Sequence, residues 1–277
     1  MNKINAVYNS RFNYLDEIKI SPLSRAYTFS DSVYEVIPFF NYDLIAFESH
    51  MNRLQKSCDA LNISLNLNKA SNEILDLISR SKLINGYVYY QASRGIDPIR
   101  SHIFDDSIKT ETFGYVVDHA FKSQKLKVKI CEDIRWQRCD IKSTSLLGNV
   151  LSMNEASNRG CDEVIMHRNN LITEGGASNI FFTNNDTVFT PSLSNNILPG
   201  ITRELLINEI KNSGIKVVEG NFEIKELETA HSIWLTSSTK GLAQVTDIIN
   251  LDTKVIEDHN IFKKCEQIFI KKFLSRS

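Results

Sequence analysis

The chain has 277 residues, 42% of them hydrophobic, and a formal net charge of -1. That length can bury one large core or divide into two domains of ordinary size, and the size prior favours two. Acids and bases are interspersed, so no one-signed field exists to draw in nucleic acid or an anionic membrane surface, which argues against both as partners.

The five cysteines, Cys58, Cys131, Cys139, Cys161 and Cys265, are odd in number, scattered and free of any CxxC spacing. Reduced thiols in a cytosol fit them better than a disulfide framework, and no metal site is suggested. The opening MNKINAVYNSRFNY lacks the apolar run of a signal peptide, and no stretch approaches a membrane span, so a soluble, cytoplasmic protein is expected.

In chain order, Val33 to Phe39 is a β-branched and aromatic run, which predicts a strand. Met51, Leu54, Cys58 and Leu61 recur at helical spacing within Glu48 to Asn62, and Tyr87 to Ser93 returns to strand character. An α+β domain over residues 1–120 is therefore expected, with the polar stretch Phe121 to Lys125 as the boundary and residues 121–277 as a second domain. There, LKVKICEDIRW alternates as a half-buried strand, and a meander follows: EVIMHR, a turn at Asn169 and Asn170, LITEGGASNIFF, a turn at Asn184 to Asp186, then TVFTP. Such hairpins make a sheet or barrel. Helices over Ser145 to Arg159 and Arg203 to Ser213 flank it, with Gly160 and Gly214 as left-handed caps, and the amphipathic IFKKCEQIFIKKFL reads as a docked terminal helix.

Two residues carry chemistry. Lys142, in DIKSTSLLGN, offers an amine that can hold an aldehyde as a Schiff base, and Glu174, in LITEGGASN, offers a carboxylate that can keep a pyridine nitrogen protonated. Together they are what pyridoxal 5′-phosphate (PLP) catalysis needs. An arbitrary lysine sits on the surface and an arbitrary hairpin glutamate is solvated, but the small residues Gly175, Gly176, Ala177 and Ser178 would let a planar ring approach the backbone.

The run RCDIKSTSLLGNVLSMNEASNRGCDEVIMHRNNLITEGGASNIFF, Arg138 to Phe182, resembles the cofactor stretch of class IV aminotransferases, which are fold-type IV PLP enzymes. Within that group the chain is most like the bacterial D-amino-acid aminotransferases, from about Asn13 to Val255. The resemblance implies a two-domain α+β fold, with a smaller N-terminal domain and a larger C-terminal domain whose barrel-like sheet is flanked by helices. It also implies PLP as cofactor. Lys142 would bind it covalently and carry the proton between the substrate α-carbon and C4′, and Glu174 would pair with the pyridine nitrogen.

The phosphate would rest on the Leu198 to Glu204 turn, LPGITRE, through the helix N-terminal amides of Ile201 and Thr202, with Arg53, Ser237 and Ser238 as further donors. In RGIDPIRSHIF, Arg100 and His102 resemble the family's carboxylate-gripping Arg-x-His, supplied there by the neighbouring subunit, and Tyr34 completes the trap. A homodimer sharing its active site across the interface follows from that.

Departures bear on specificity. Ser30 and Ser32 replace glycines, so the turn before Tyr34 must avoid positive φ or bear strain. Pro38 and Lys240 are unusual at their positions, and Ile99 lengthens the trap loop by one residue. His50, His119, His167, His231 and His259 show no ligand spacing, and Trp136 and Trp234 read as packing residues. The expected activity is transamination between a D-amino acid such as D-alanine and 2-oxoglutarate or pyruvate. The alternatives are a branched-chain L-amino-acid transaminase, an aminodeoxychorismate lyase of the same fold, and a non-catalytic binding protein.

Overall fold

A computed structural model describes residues 3–253, 255 and 260–274. His259 lies outside the described residues. The chain divides into two compact units, residues 1–120 with 141–145, and residues 121–140 with 146–277. The first unit ends at Ala120 and the second begins at Phe121, while Lys142 and its neighbours group with the first unit.

The first unit holds strands β1 (Asn5–Tyr8) and β2 (Arg11–Tyr14), the short helix α1 (Arg25–Phe29), β3 (Ser32–Phe40), β4 (Asp43–Leu44), helices α2 (Phe47–Ala60) and α3 (Leu67–Ser81), β5 (Gly86–Ser93) and β6 (Glu111–Asp118). Its strands form one antiparallel sheet, ordered β2-β1-β6-β5-β3-β4. Period-two alternation gives β3 two faces. Val33, Ile37 and Phe39 pack with Met51, Leu54 and Cys58 of α2 and with Ile74, Leu77 and Ile78 of α3, each large apolar side chain contributing about 1.5–3 kcal/mol by burial. On the other face Tyr34 stacks on Tyr89, which stacks on Tyr115, at centroid distances of 5.5 and 5.2 Å.

Asn66 caps α3, its Oδ1 accepting from the Lys69 amide at 3.0 Å. Changing Asn66 to alanine should cost about 1 kcal/mol and lower the melting midpoint by about 2–4 °C. An unchanged calorimetric midpoint would count against a working cap.

The second unit holds β7 (Gln124–Glu132), helix α4 (Leu147–Ser157), β8 (Glu163–Arg168), β9 (Leu171–Gly175), β10 (Asn179–Asn184), β11 (Thr187–Pro191), α5 (Ile201–Asn212), β12 (Lys216–Gly220), β13 (Ser232–Ser237), β14 (Gly241–Ile248) and α6 (Asn260–Phe269). Eight strands form a mixed sheet, ordered β12-β11-β10-β13-β14-β7-β8-β9. Strand β9, at one end of that order, also lies against β10 and β11, so the sheet curls into a half-barrel around Val128, Ile165, Ile180, Phe182, Leu235 and Val245. Asn169 and Asn170, at φ 50° and 64°, make the tight turn joining β8 to β9.

LITEGGASNIFF is not one strand. It breaks after Gly175, where the Gly175 amide donates to the Ser178 carbonyl at 2.7 Å, and β10 starts at Asn179. The helix expected from Ser145 starts at Leu147, and the one expected from Arg203 starts at Ile201. Gly160 and Gly214 take the left-handed conformation, at φ 74° and 78°.

Candidate functional site

In the first unit, residues 142–144 run antiparallel beside the start of β3, joined to it by an isolated bridge between Val33 and Ser143. The Tyr34 amide donates to the Lys142 carbonyl at 2.9 Å, the Thr144 amide to the Ser32 carbonyl at 3.0 Å, and the Lys142 amide to Ser57 Oγ at 3.2 Å. Ser30 and Ser32 both meet this segment. Ser30 accepts the left-handed conformation at φ 53°, and its carbonyl takes the Thr144 hydroxyl at 3.1 Å. Ser32 lies in the strand with its Oγ 2.5 Å from Thr144 Oγ1. The Ser32 hydroxyl therefore braces the segment that bears Lys142, whereas Ser30 does so through a backbone carbonyl that a glycine would also supply. The lysine is half-buried, with Nζ 4.3 Å from the Tyr34 ring centroid, so Tyr34 touches the lysine directly.

Glu35 is the charged residue on the core face of β3, and it is fully buried. Arg53 of α2 grips it in a bidentate pair, Nε to Oε1 at 2.7 Å and Nη2 to Oε2 at 2.8 Å, while His50 Nδ1 donates to Oε2 at 2.7 Å. Burial opposes ionisation of Glu35, but Arg53 and His50 outweigh it and hold the carboxyl far below its usual range. Burial also depresses His50, which Lys142 and Arg53 push in the same direction. Arg53, named from sequence as a phosphate donor, thus also makes a buried ion pair with Glu35.

Arg100 and His102 lie exposed on the loop after β5, and both rest on one ring. The Arg100 guanidinium is 4.4 Å from the Phe29 centroid, and the His102 ring meets Phe29 edge-on at 5.3 Å. At the root of this loop Asp31 joins Arg25 and Arg94, at 2.8 and 2.7 Å.

In the second unit, a bulge positions Glu174. His167 pairs with Ile172 and Ile165 with Gly175, so Thr173 and Glu174 together stand opposite Met166. Glu174 is buried, and each of its oxygens has partners. Arg135 Nη1 donates to Oε1 at 2.5 Å, while Asn179 Nδ2 and the Leu198 amide donate to Oε2 at 2.9 and 3.1 Å. Burial still prevails over Arg135 and lifts the carboxyl to about 7. Arg135 also pairs with Asp133 at 2.8 Å, and Asp133 with Arg168 at 3.1 Å, so two acids and two guanidiniums form one network.

Asn179 gathers the rest of this cluster in the second unit. Its Nδ2 donates to the Leu198 carbonyl at 3.0 Å as well as to Glu174, and a Cβ on Gly200 would lie 1.9 Å from its Oδ1. Helix α5 then begins at Ile201, so the amides of Ile201 and Thr202 belong to the turn that has no intrahelical acceptor. Ser237 ends β13, where its Oγ accepts from the Lys240 amide at 3.2 Å, and Ser238 follows in the turn. Lys240 itself pairs with the fully buried Glu163 at 2.7 Å.

The glycines after Glu174 serve the chain's own packing rather than leaving open space. A Cβ on Gly175 would meet Ser178 Oγ at 2.2 Å, and one on Gly176 would meet Met153 Sδ at 2.5 Å. Sequence reasoning missed Arg135, Asp133 and Asn179. Only their adjacency to a strand end and to Glu174 could have flagged them.

The family model for class IV amino-transferases matches residues 32–248. The chain is 31% identical over 250 residues to a D-alanine aminotransferase of Listeria innocua serovar 6a, covering 87% of this chain and 86% of that protein. Among solved structures, the branched-chain amino acid aminotransferase of Escherichia coli matches with a TM-score of 0.91 at 20% identity, covering 98% of this chain and 95% of that one. The branched-chain enzyme of T.th., complexed with N-(5′-phosphopyridoxyl)-L-glutamate, matches at TM-score 0.88 and 19% identity, covering 98% and 94%. Fold, family model and relatives agree: this chain belongs to the class IV aminotransferases, which are PLP-dependent.

Proposed function

We propose that the protein is a D-amino-acid transaminase, exchanging the amino group of a D-amino acid such as D-alanine with 2-oxoglutarate or pyruvate in a ping-pong cycle. The observation that carries this reading is the loop in which Arg100 and His102 share one aromatic support, in a chain 31% identical to a D-alanine aminotransferase.

The residues present fit PLP. When bound, the cofactor supplies an aldehyde and an electron-accepting ring. Glu174 is a buried carboxylate whose ionisation is incompletely supported by Arg135, so a second positive charge, such as a protonated ring nitrogen, suits it. The α5 amides of Ile201 and Thr202, with Ser237 and Ser238, are neutral donors suited to a phosphate, and Arg53 is the cation the family would add. Lys142 provides the amine that takes a proton from the substrate α-carbon and later returns one. Arg100 offers two parallel N–H donors to the α-carboxylate, His102 and Tyr34 add directional bonds, and fixing that group decides which α-substituent faces the lysine.

A homodimer working in the cytosol belongs to the same reading. Leu147, Val150 and Leu151 of α4 and Ile99 and Ile103 of the trap loop are exposed apolar residues of the kind a second copy would cover, and all five cysteines are free thiols. Among the described residues no helix is long and apolar enough to cross a membrane.

The branched-chain reading has structural neighbours in its favour, at identities that show the fold alone. Purified holoenzyme mixed with D-alanine or L-leucine, without acceptor, should convert to the pyridoxamine form at least about a hundredfold faster with D-alanine. Faster conversion with L-leucine would establish the branched-chain activity instead. Failure with every amino donor, together with pyruvate release from aminodeoxychorismate, would establish the lyase.

A further inference from the structure

We propose that Phe29 is a positioning residue that sets the orientation of Arg100 and His102, and through them the hold on the substrate carboxylate. The inference rests on the reading of that pair as the carboxylate trap. Both side chains lie on the Phe29 ring, at 4.4 Å for the guanidinium and 5.3 Å for the imidazole centroid, although the loop residues around them, Ile99 and Ile103, are exposed.

A guanidinium that stacks through its face keeps its N–H edges available, so the ring contact and a bidentate carboxylate bond do not compete. Resting a long, flexible arginine on a rigid ring also removes rotamer freedom before substrate arrives, which lowers the entropy lost on binding. The ring is itself held. Arg25 lies 4.6 Å from its centroid, and Arg25 Nη1 donates to the Ser101 carbonyl at 2.6 Å, the residue between Arg100 and His102. The same guanidinium pairs with Asp97 and Asp31, and Arg94 grips Asp31 while stacking on Phe104 at 3.6 Å. The extra residue Ile99 therefore does not leave the register of the trap undefined, because the aromatic contacts fix Arg100 and His102 beyond it.

The test compares Phe29→Leu, Phe29→Met and Phe29→Tyr with Arg100→Ala in the holoenzyme, using D-alanine and 2-oxoglutarate. It is read as KM, kcat and the PLP dissociation constant from absorbance titration of the apoprotein. Arg100→Ala should raise KM for D-alanine about a hundredfold, and Phe29→Leu and Phe29→Met about tenfold, with kcat within about threefold of the parent and PLP affinity unchanged. Phe29→Tyr, which keeps the ring, should restore KM to within about threefold. A raised KM in Arg100→Ala with no change in either aliphatic variant overturns the role of Phe29 and leaves the trap standing. Parallel losses of kcat and PLP affinity in the aliphatic variants mark a merely structural residue and overturn it too. An unchanged KM in Arg100→Ala overturns the trap itself, and this inference with it.

Discussion

Replacing Lys142 with alanine is expected to lower transamination by about 10⁴-fold or more, because one side chain serves as both the covalent anchor and the carrier of the α-proton. The fold should be nearly untouched. The backbone bonds from the Tyr34 amide to the Lys142 carbonyl and from the Lys142 amide to Ser57 do not involve the side chain. What is lost is one half-buried ammonium resting on the Tyr34 ring, about 0.5–1 kcal/mol, or a midpoint shift of about 1–4 °C. Borohydride reduction of the PLP-loaded parent should fix a pyridoxyl group on residue 142, read by peptide mass, and the alanine variant should carry none. Turnover in the variant above about one per cent of the parent, or a label on another lysine, would remove Lys142 from the chemistry.

Much of this was legible in the sequence, for identifiable reasons. Strands β3, β5 and β8 announce themselves through β-branched and aromatic content, and Asn169 and Asn170 mark their turn, because period and turn chemistry are local properties. Ala70, Ile74, Leu77 and Ile78 of α3 recur at helical spacing too, yet that helix is not among the elements expected from sequence. Strands β1 and β2 are four residues each, too short for a period to show. The bulge at Thr173 and Glu174 left no mark either. It depends on what β9 pairs with, and one extra residue opposite Met166 turns Glu174 toward Arg135 and Asn179.

Asp133 and Arg135 illustrate the same limit. EDIRW continues an alternating pattern, yet the strand ends at Glu132, and the two residues after it leave the ladder to form an ion-pair network with residues more than thirty positions away. Lys142 could be recognised by its neighbours in sequence, whereas its membership of the first unit depends on pairing with β3. Motif and period report chemistry and local structure, and the partners that tune the chemistry come from tertiary pairing.

Arg135→Ala is expected to be the most destabilising single change at the site, by about 3–5 kcal/mol, or roughly 10 °C in the melting midpoint of the apoprotein. The substitution deletes the cation shared by two buried acids. Asp133 keeps Arg168 at 3.1 Å, but Glu174 keeps only the neutral donors Asn179 and the Leu198 amide. The loss should depend on pH in a direction fixed by Glu174. Its carboxyl titrates near 7 in the folded protein, above its ordinary value near 4.5, so the stability owed to its neutral form is complete below about 4.5 and disappears as pH rises through about 7. Without Arg135 the folded value climbs further, so the variant should be weakened least at pH 5 and most at pH 8. Adding Glu174→Gln, which supplies a neutral acceptor for Asn179 and Leu198, should remove most of that pH dependence while leaving the part due to Asp133. Arg135→Lys should recover only part of the loss, since a single ammonium lacks the planar fork that reaches Asp133 and Glu174 together. Thermal melts of the four proteins at pH 5 and pH 8 decide the matter. Equal losses at both pH values, or a pH dependence that survives Glu174→Gln, would show that Glu174 is not the group Arg135 keeps charged.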